Sequence, residues 1–124
     1  MPNVVLAQAK LLVEETWNDS SKWSANLSAA QHLLENALLA APSDVGLLTG
    51  IGSVLCDQAQ YSKAAPILER AIQLASTDAN TYYALAVASF NIGGQSKGAA
   101  LFRKAAELKP SQSTWQAYFD PQAH

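Results

Sequence analysis

Apolar residues recur at helical spacing along most of the chain, and short polar or Gly-containing breaks interrupt them at regular intervals. Ala30, Leu34, Ala37 and Leu38 fall on one side of a helix. So do Leu48, Ile51, Gly52 and Leu55, and again Tyr82, Leu85, Ala86 and Ser89. Between them lie Asp57-Gln58-Ala59-Gln60 and Asn91-Ile92-Gly93-Gly94-Gln95-Ser96, which read as turns. The pattern predicts helices over 4–18, 24–41, 44–57, 61–75, 78–91 and 95–108. A seventh is predicted over 111–119, with Ser111 or Ser113 as N-cap and Trp115, Tyr118 and Phe119 as one aromatic face.

The stripes repeat. Offset by 34, Leu33 falls on Ile67 and Leu101, and Leu34 on Leu68 and Phe102. Ala37 falls on Ala71 and Ala105, Ala30 on Ala64 and Gly98, and Pro42 on Ser76 and Pro110. A fixed period of this length marks a stack of supersecondary units. The small residues let a neighbouring helix approach, and the Leu or Phe four positions on fills the space beside it. In the outer copies Pro ends the helix, because the residue before a proline is pushed out of the helical region.

These residues resemble the tetratricopeptide repeat family. The middle copy reads Leu48-x2-Ile51-Gly52-x2-Leu55, then Ala64-x3-Leu68-x2-Ala71. The last reads Tyr82-x2-Leu85-Ala86-x2-Ser89, then Gly98-x3-Phe102-x2-Ala105-x4-Pro110. The resemblance implies an all-α fold: a right-handed α-solenoid of three helix-turn-helix repeats plus a C-terminal capping helix. The whole chain, 1–124, is then one domain, with repeats at about 4–44, 45–78 and 79–112 and the cap at about 111–119.

The first copy departs from the pattern in its leading half. Strict counting puts Glu14, Trp17, Asn18 and Ser21 at core places, where they make a poor core. Ala9, Leu12, Val13 and Thr16 serve better, but they require a longer turn through Asn18-Asp19-Ser20-Ser21-Lys22, with Trp17 and Trp23 expected to clamp it.

Composition narrows the function. Ala (23) and Leu (16) fill nearly a third of the 124 positions, and charged residues only 15%, against roughly 25% in an average domain. Such a chain buries a core rather than staying disordered. No apolar run approaches the roughly 20 residues that span a bilayer. The start Met1-Pro2-Asn3 lacks the basic opening of a secretion signal, so a cytoplasmic location is expected. The net charge of −2 comes with no strongly basic cluster, which argues against a nucleic-acid partner. The basic group Lys97, Arg103, Lys104 and Lys109 reads first as a solvated outer face.

Chemistry is scarce. The lone Cys56 aligns one repeat away from Phe90 and reads as an apolar filler. His32 reads as a surface histidine. Adjacent Glu14 and Glu15 point about 100° apart on a helix and make no acid/base dyad. There is no phosphate loop, metal spacing or nucleophile with a base, so neither enzyme activity nor a cofactor is expected.

The resemblance instead implies partner binding on the face lined by the first helix of each pair. Candidates there are Trp17, Thr49, Ser53, Asp57, Asn80, Tyr83, Val87, Phe90 and Asn91. Hydroxyls and amides on this face suit a peptide backbone, and aromatics suit its side chains. The carboxylate-gripping clamp known in the family is not expected, since Gly46, Thr49, Gly50 and Ser53 supply no Lys or Arg. The expected activity is therefore a non-enzymatic protein–protein interaction module holding a peptide or helix of a partner. The alternative is a self-assembling homo-oligomer that uses the aromatic C-terminal helix.

Overall fold

A computed structural model describes residues 2–119. Among them are six α-helices and no strand: α1 (Pro2–Asn18), α2 (Trp23–Ala40), α3 (Val45–Asp57), α4 (Tyr61–Gln73), α5 (Ala79–Asn91) and α6 (Gln95–Ala106). A 3₁₀ turn at Ser20–Lys22 joins α1 to α2. None of the helices is long and apolar enough to cross a membrane.

Local chemistry explains the boundaries. Asp44 precedes α3 and its carboxylate accepts the Leu47 N–H at 2.9 Å. Thirty-four residues on, Asp78 does the same for α5 by accepting the Asn80 N–H at 2.9 Å. Each thus satisfies a donor that the first turn leaves unpaired. Three helices end on a residue of positive φ: Ala59 (60°) after α3, Ala75 (69°) after α4 and Gly93 (91°) after α5. The backbone then closes as Gln60 N–H to Leu55 O, Ser76 N–H to Ala71 O and Gly94 N–H to Ser89 O, the bonds of a Schellman ending.

Packing follows chain order. α1 lies against α2, α3 against α4, and α5 against α6; α1, α3 and α5 also touch in succession. Two close approaches set the pair geometry. A Cβ on Gly52 would stand 2.3 Å from the Leu68 side chain, and one on Gly98 would stand 2.6 Å from the Phe90 ring. The core runs through the inner helices, with Leu6, Ala9, Val13, Leu27, Leu34, Ile51, Val54, Leu68, Leu85 and Val87 all buried. In α1 the buried set is Leu6, Ala9, Val13 and Thr16, the shifted register, while Trp17 is 60% exposed. Trp23 packs on the core and on Tyr118. Asp19 holds the first turn by accepting from Ser21 N–H (3.0 Å) and Ser21 Oγ, and Asn26 ties α2 to α1 by donating to Leu12 O at 2.8 Å.

The capping helix expected over 111–119 does not form. Residues 107–119 carry no α-helix; a bend at Thr114 leads into irregular backbone over 115–119. Burial alternates along it: Trp115 and Ala117 are buried, Gln116 and Tyr118 exposed, and Phe119 half-buried. That is the period of two of a strand-like segment. Two physical reasons decide the matter. A nine-residue helix is marginal without strong packing. The segment also has a span to cover. Thr114 bonds Asn80 and the Phe119 ring packs on Phe90, ten residues further along α5, a rise of about 15 Å. Five extended residues reach about 16 Å, whereas five helical ones reach only about 8 Å.

Candidate functional site

The site begins with the register of α3 and α5. At about 100° per residue, Gly50, Ser53 and Asp57 lie within about 60° on one side of α3, and Gly52 projects to the opposite side. On α5, Asn80, Tyr83, Val87 and Phe90 share a face in the same way. These two faces form a shallow channel, and residues 111–119 lie along it.

The channel holds the tail mainly through its backbone and small polar groups. At the root, Ala79 N–H donates to Lys109 O at 3.0 Å. Asp78 receives Ser111 N–H at 2.8 Å on Oδ1 and the Thr114 hydroxyl at 2.6 Å on Oδ2. Asn80 Nδ2 donates to Thr114 Oγ1 at 2.9 Å and to Ser111 O at 3.5 Å. Ser53 Oγ donates to Trp115 O at 3.5 Å. Tyr118 N–H donates to Asp57 Oδ1 at 2.6 Å. From the α1 side, Lys10 Nζ donates to Gln112 O.

Side chains complete the seat. The Trp115 ring lies over Gly50, where a Cβ would be 3.4 Å from it. Tyr118 meets Trp23 edge-on at 6.0 Å between centroids. Phe119 closes the far end against Phe90 (6.3 Å) and Phe102 (5.5 Å). The Trp115 indole N–H is buried without a hydrogen bond of proper geometry.

Burial sets the electrostatics. Loss of water pushes the Asp57 carboxyl up to about 7, partly opposed by the Tyr118 N–H and the nearby Trp115 indole. Cys56 is pushed up to about 12, first by burial and then by the Asp57 charge, and its thiol donates to Ala84 O at 3.4 Å. A thiol held that far from its anion is a poor nucleophile. Burial also raises the Tyr83 hydroxyl, partly opposed by a hydrogen bond with Gln116. Among the described residues, no group of three or more His, Cys, Asp or Glu is arranged to hold a metal ion.

The nine residues singled out from the sequence therefore divide. Ser53, Asp57, Asn80, Tyr83 and Phe90 all touch the tail. Thr49 is fully buried and shares a 2.6 Å hydrogen bond with Thr81, so it joins α3 to α5. Val87 is in the core, and Asn91 turns back to donate to Val87 O at 2.8 Å. Trp17 stands exposed at the rim of a cleft of about 300 Å³ that it shares with Asp57, Tyr83 and the tail residues 116–119. Sequence reasoning missed Asp78, Thr114 and the seat of Trp115. The signal for Asp78 was available: it stands 34 residues from Asp44, the other helix-capping aspartate. The basic group is exposed on the outer side, with Lys97 bonded to Glu69 at 2.9 Å.

No protein-family model matches this chain, and no curated protein sequence matches it.

Proposed function

We propose that this chain is a non-enzymatic, tetratricopeptide-like repeat module that holds an extended segment of a partner protein on the channel of α3 and α5. The solenoid reading rests on the 34-residue spacing: α3 and α5 begin that far apart, as do α4 and α6. One observation carries the binding reading. A stretch of polypeptide already lies in the channel as an extended chain, with its backbone met by Ser53, Asp57 and Asn80 and alternate side chains buried. Backbone bonds with pockets for every second side chain are how protein surfaces hold extended peptides. The oligomerisation helix of the alternative loses its basis, because that segment is not helical.

The test is site-specific photo-crosslinking in the full chain. A photoreactive phenylalanine at Tyr83, half-buried in the channel, is expected to capture a protein partner in cells of origin. The same group at Leu39, 82% exposed on α2, is expected to capture none. Capture from Leu39 and not from Tyr83 contradicts the reading.

A further inference from the structure

We infer that residues 111–119 are a built-in ligand of the channel, and that the partner is a protein segment with the same extended aromatic–x–small–x–aromatic register, which binds by displacing them. The inference rests on the channel being the partner site and adds what the partner looks like and what it must remove.

The tail defines the ligand chemistry. Its Trp115, Ala117 and Phe119 face the protein, while Gln116 and Tyr118 are more exposed and reach sideways, Gln116 to Tyr83 and Tyr118 to Trp23. A large flat side chain fits over Gly50, since a residue with a Cβ there would crowd Leu6, Leu34 and the Trp115 ring at 3.1, 3.2 and 3.4 Å. Two residues on, Ala117 is 2% exposed, so the position accepts only a small side chain. Two further on, an aromatic ring meets Phe90 and Phe102. Between them the hydrogen bonds from Ser53 and to Asp57 engage main-chain atoms, which any sequence offers.

The tail's attachment is also uneven. Its root is fixed by Lys109, Ser111 and Thr114 on Asp78, Ala79 and Asn80. Beyond Thr114 the bonds to the main chain include a long one of 3.5 Å from Ser53 Oγ to Trp115 O and one from Tyr118 N–H to Asp57. The indole N–H lies beside the Asp57 carboxylate but is not well aligned with it, and Tyr118 is 57% exposed. Residues 115–119 therefore leave most easily while the root stays in place. A competitor binds with its affinity reduced by the fraction of chains whose channel is empty.

The probe is a synthetic peptide of residues 111–119, acetylated and amidated, with a fluorophore at its start. It is titrated into the full chain and into two full-length variants. Trp115→Ala empties the aromatic seat. Tyr118→Pro deletes the N–H donated to Asp57 together with the exposed ring that meets Trp23, and leaves Trp115, Ala117 and Phe119 in place, so it serves if the first variant fails to fold. Circular dichroism checks helicity. The expected result is binding to either helical variant about tenfold or more tighter than to the native chain, the gain that an emptied channel gives a competitor. Equal binding to native and variant chains overturns displacement and leaves the channel a peptide site. No binding to any helical chain overturns both readings. A native chain that dimerises with rising concentration and takes up no peptide assigns the channel to a second copy's tail and overturns the inference. Hydrogen exchange on the native chain is the independent check. The Tyr118 amide is expected to exchange faster than amides of α3, through local opening. Exchange at the same rate as α3 makes the tail part of the global fold and overturns the inference.

Discussion

α3 hides two opposite faces by different means. On one, Gly52 receives Leu68 of α4 so closely that a Cβ would sit 2.3 Å from it. On the other, Ser53 and Asp57 bond the backbone of the tail, and Gly50 is covered by the Trp115 ring together with Leu6 and Leu34. The helix α4 is present because its own stripe of Ala64, Leu68 and Ala71 has to be buried somewhere. The tail is present there because the channel offers polar partners to a main chain that a helix would have satisfied internally. α3 is buried from Leu47 to Asp57, and a tail that opens, as inferred above, makes its two covers unequal in permanence.

The largest effect is expected on the α4 side. Leu68→Ala opens a void against Gly52 and should cost about 3–5 kcal/mol, the upper part of the range for a fully buried Leu, measured by urea unfolding. Trp115→Ala removes a larger side chain yet should cost less, about 1–3 kcal/mol, because the loss is limited by the free energy of opening the tail alone. A larger loss for Trp115→Ala than for Leu68→Ala would erase the distinction between the faces.

The third prediction uses Asp57, which lies under the tail. Its folded-state value, about 7, is raised above that of an unfolded carboxyl by burial, so the folded chain holds a proton that the unfolded chain releases. Its contribution to stability is therefore fully present below about pH 4 and is lost as pH rises to about 7, up to about 4 kcal/mol in all. Asp57→Asn should abolish that part of the slope between pH 4 and 8, read as the difference between variant and native unfolding curves. A native slope of opposite sign, or one the variant keeps, contradicts the placement.

The smallest effect concerns the turn between α3 and α4. Ala59 occupies the left-handed region at φ 60°, where the corresponding turn after α5 has Gly93 at 91°. Ala59→Gly should raise stability by at most about 1 kcal/mol, since relief of the Cβ clash is offset by a more flexible unfolded chain. Thermal unfolding checks it.

Much of the helical scaffold was legible in the sequence, and its gaps have physical causes. The helices predicted over 44–57 and 78–91 begin within one residue of α3 and α5, because the 34-residue period fixes both, and Asp44 and Asp78, which cap them, keep the same spacing. The leading half of the first copy was readable only after shifting to Ala9, Val13 and Thr16, since an extra turn breaks the count. The tail was misread because Trp115, Tyr118 and Phe119 fit a helical face, while Trp115, Ala117 and Phe119 fit an extended one. Nine residues do not separate the two periods, and the deciding partners, Asp57, Asn80 and Phe90, are distant in sequence. The same distance explains the uneven success at the site. Helical register alone put Ser53, Asp57, Asn80, Tyr83 and Phe90 on one side, but it could not tell that Thr49 meets Thr81 instead.

The most direct test of the central claim, that the tail lies extended in the channel of its own chain, is a nuclear Overhauser spectrum of the native protein at low concentration. Contacts from the Trp115 ring to Gly50 and from the Phe119 ring to Phe90 and Phe102, with strong sequential Hα–HN contacts through 114–119, are the predicted result. Sequential HN–HN contacts of a helix over 111–119, or a Trp115 ring with no contact to α3, would contradict it.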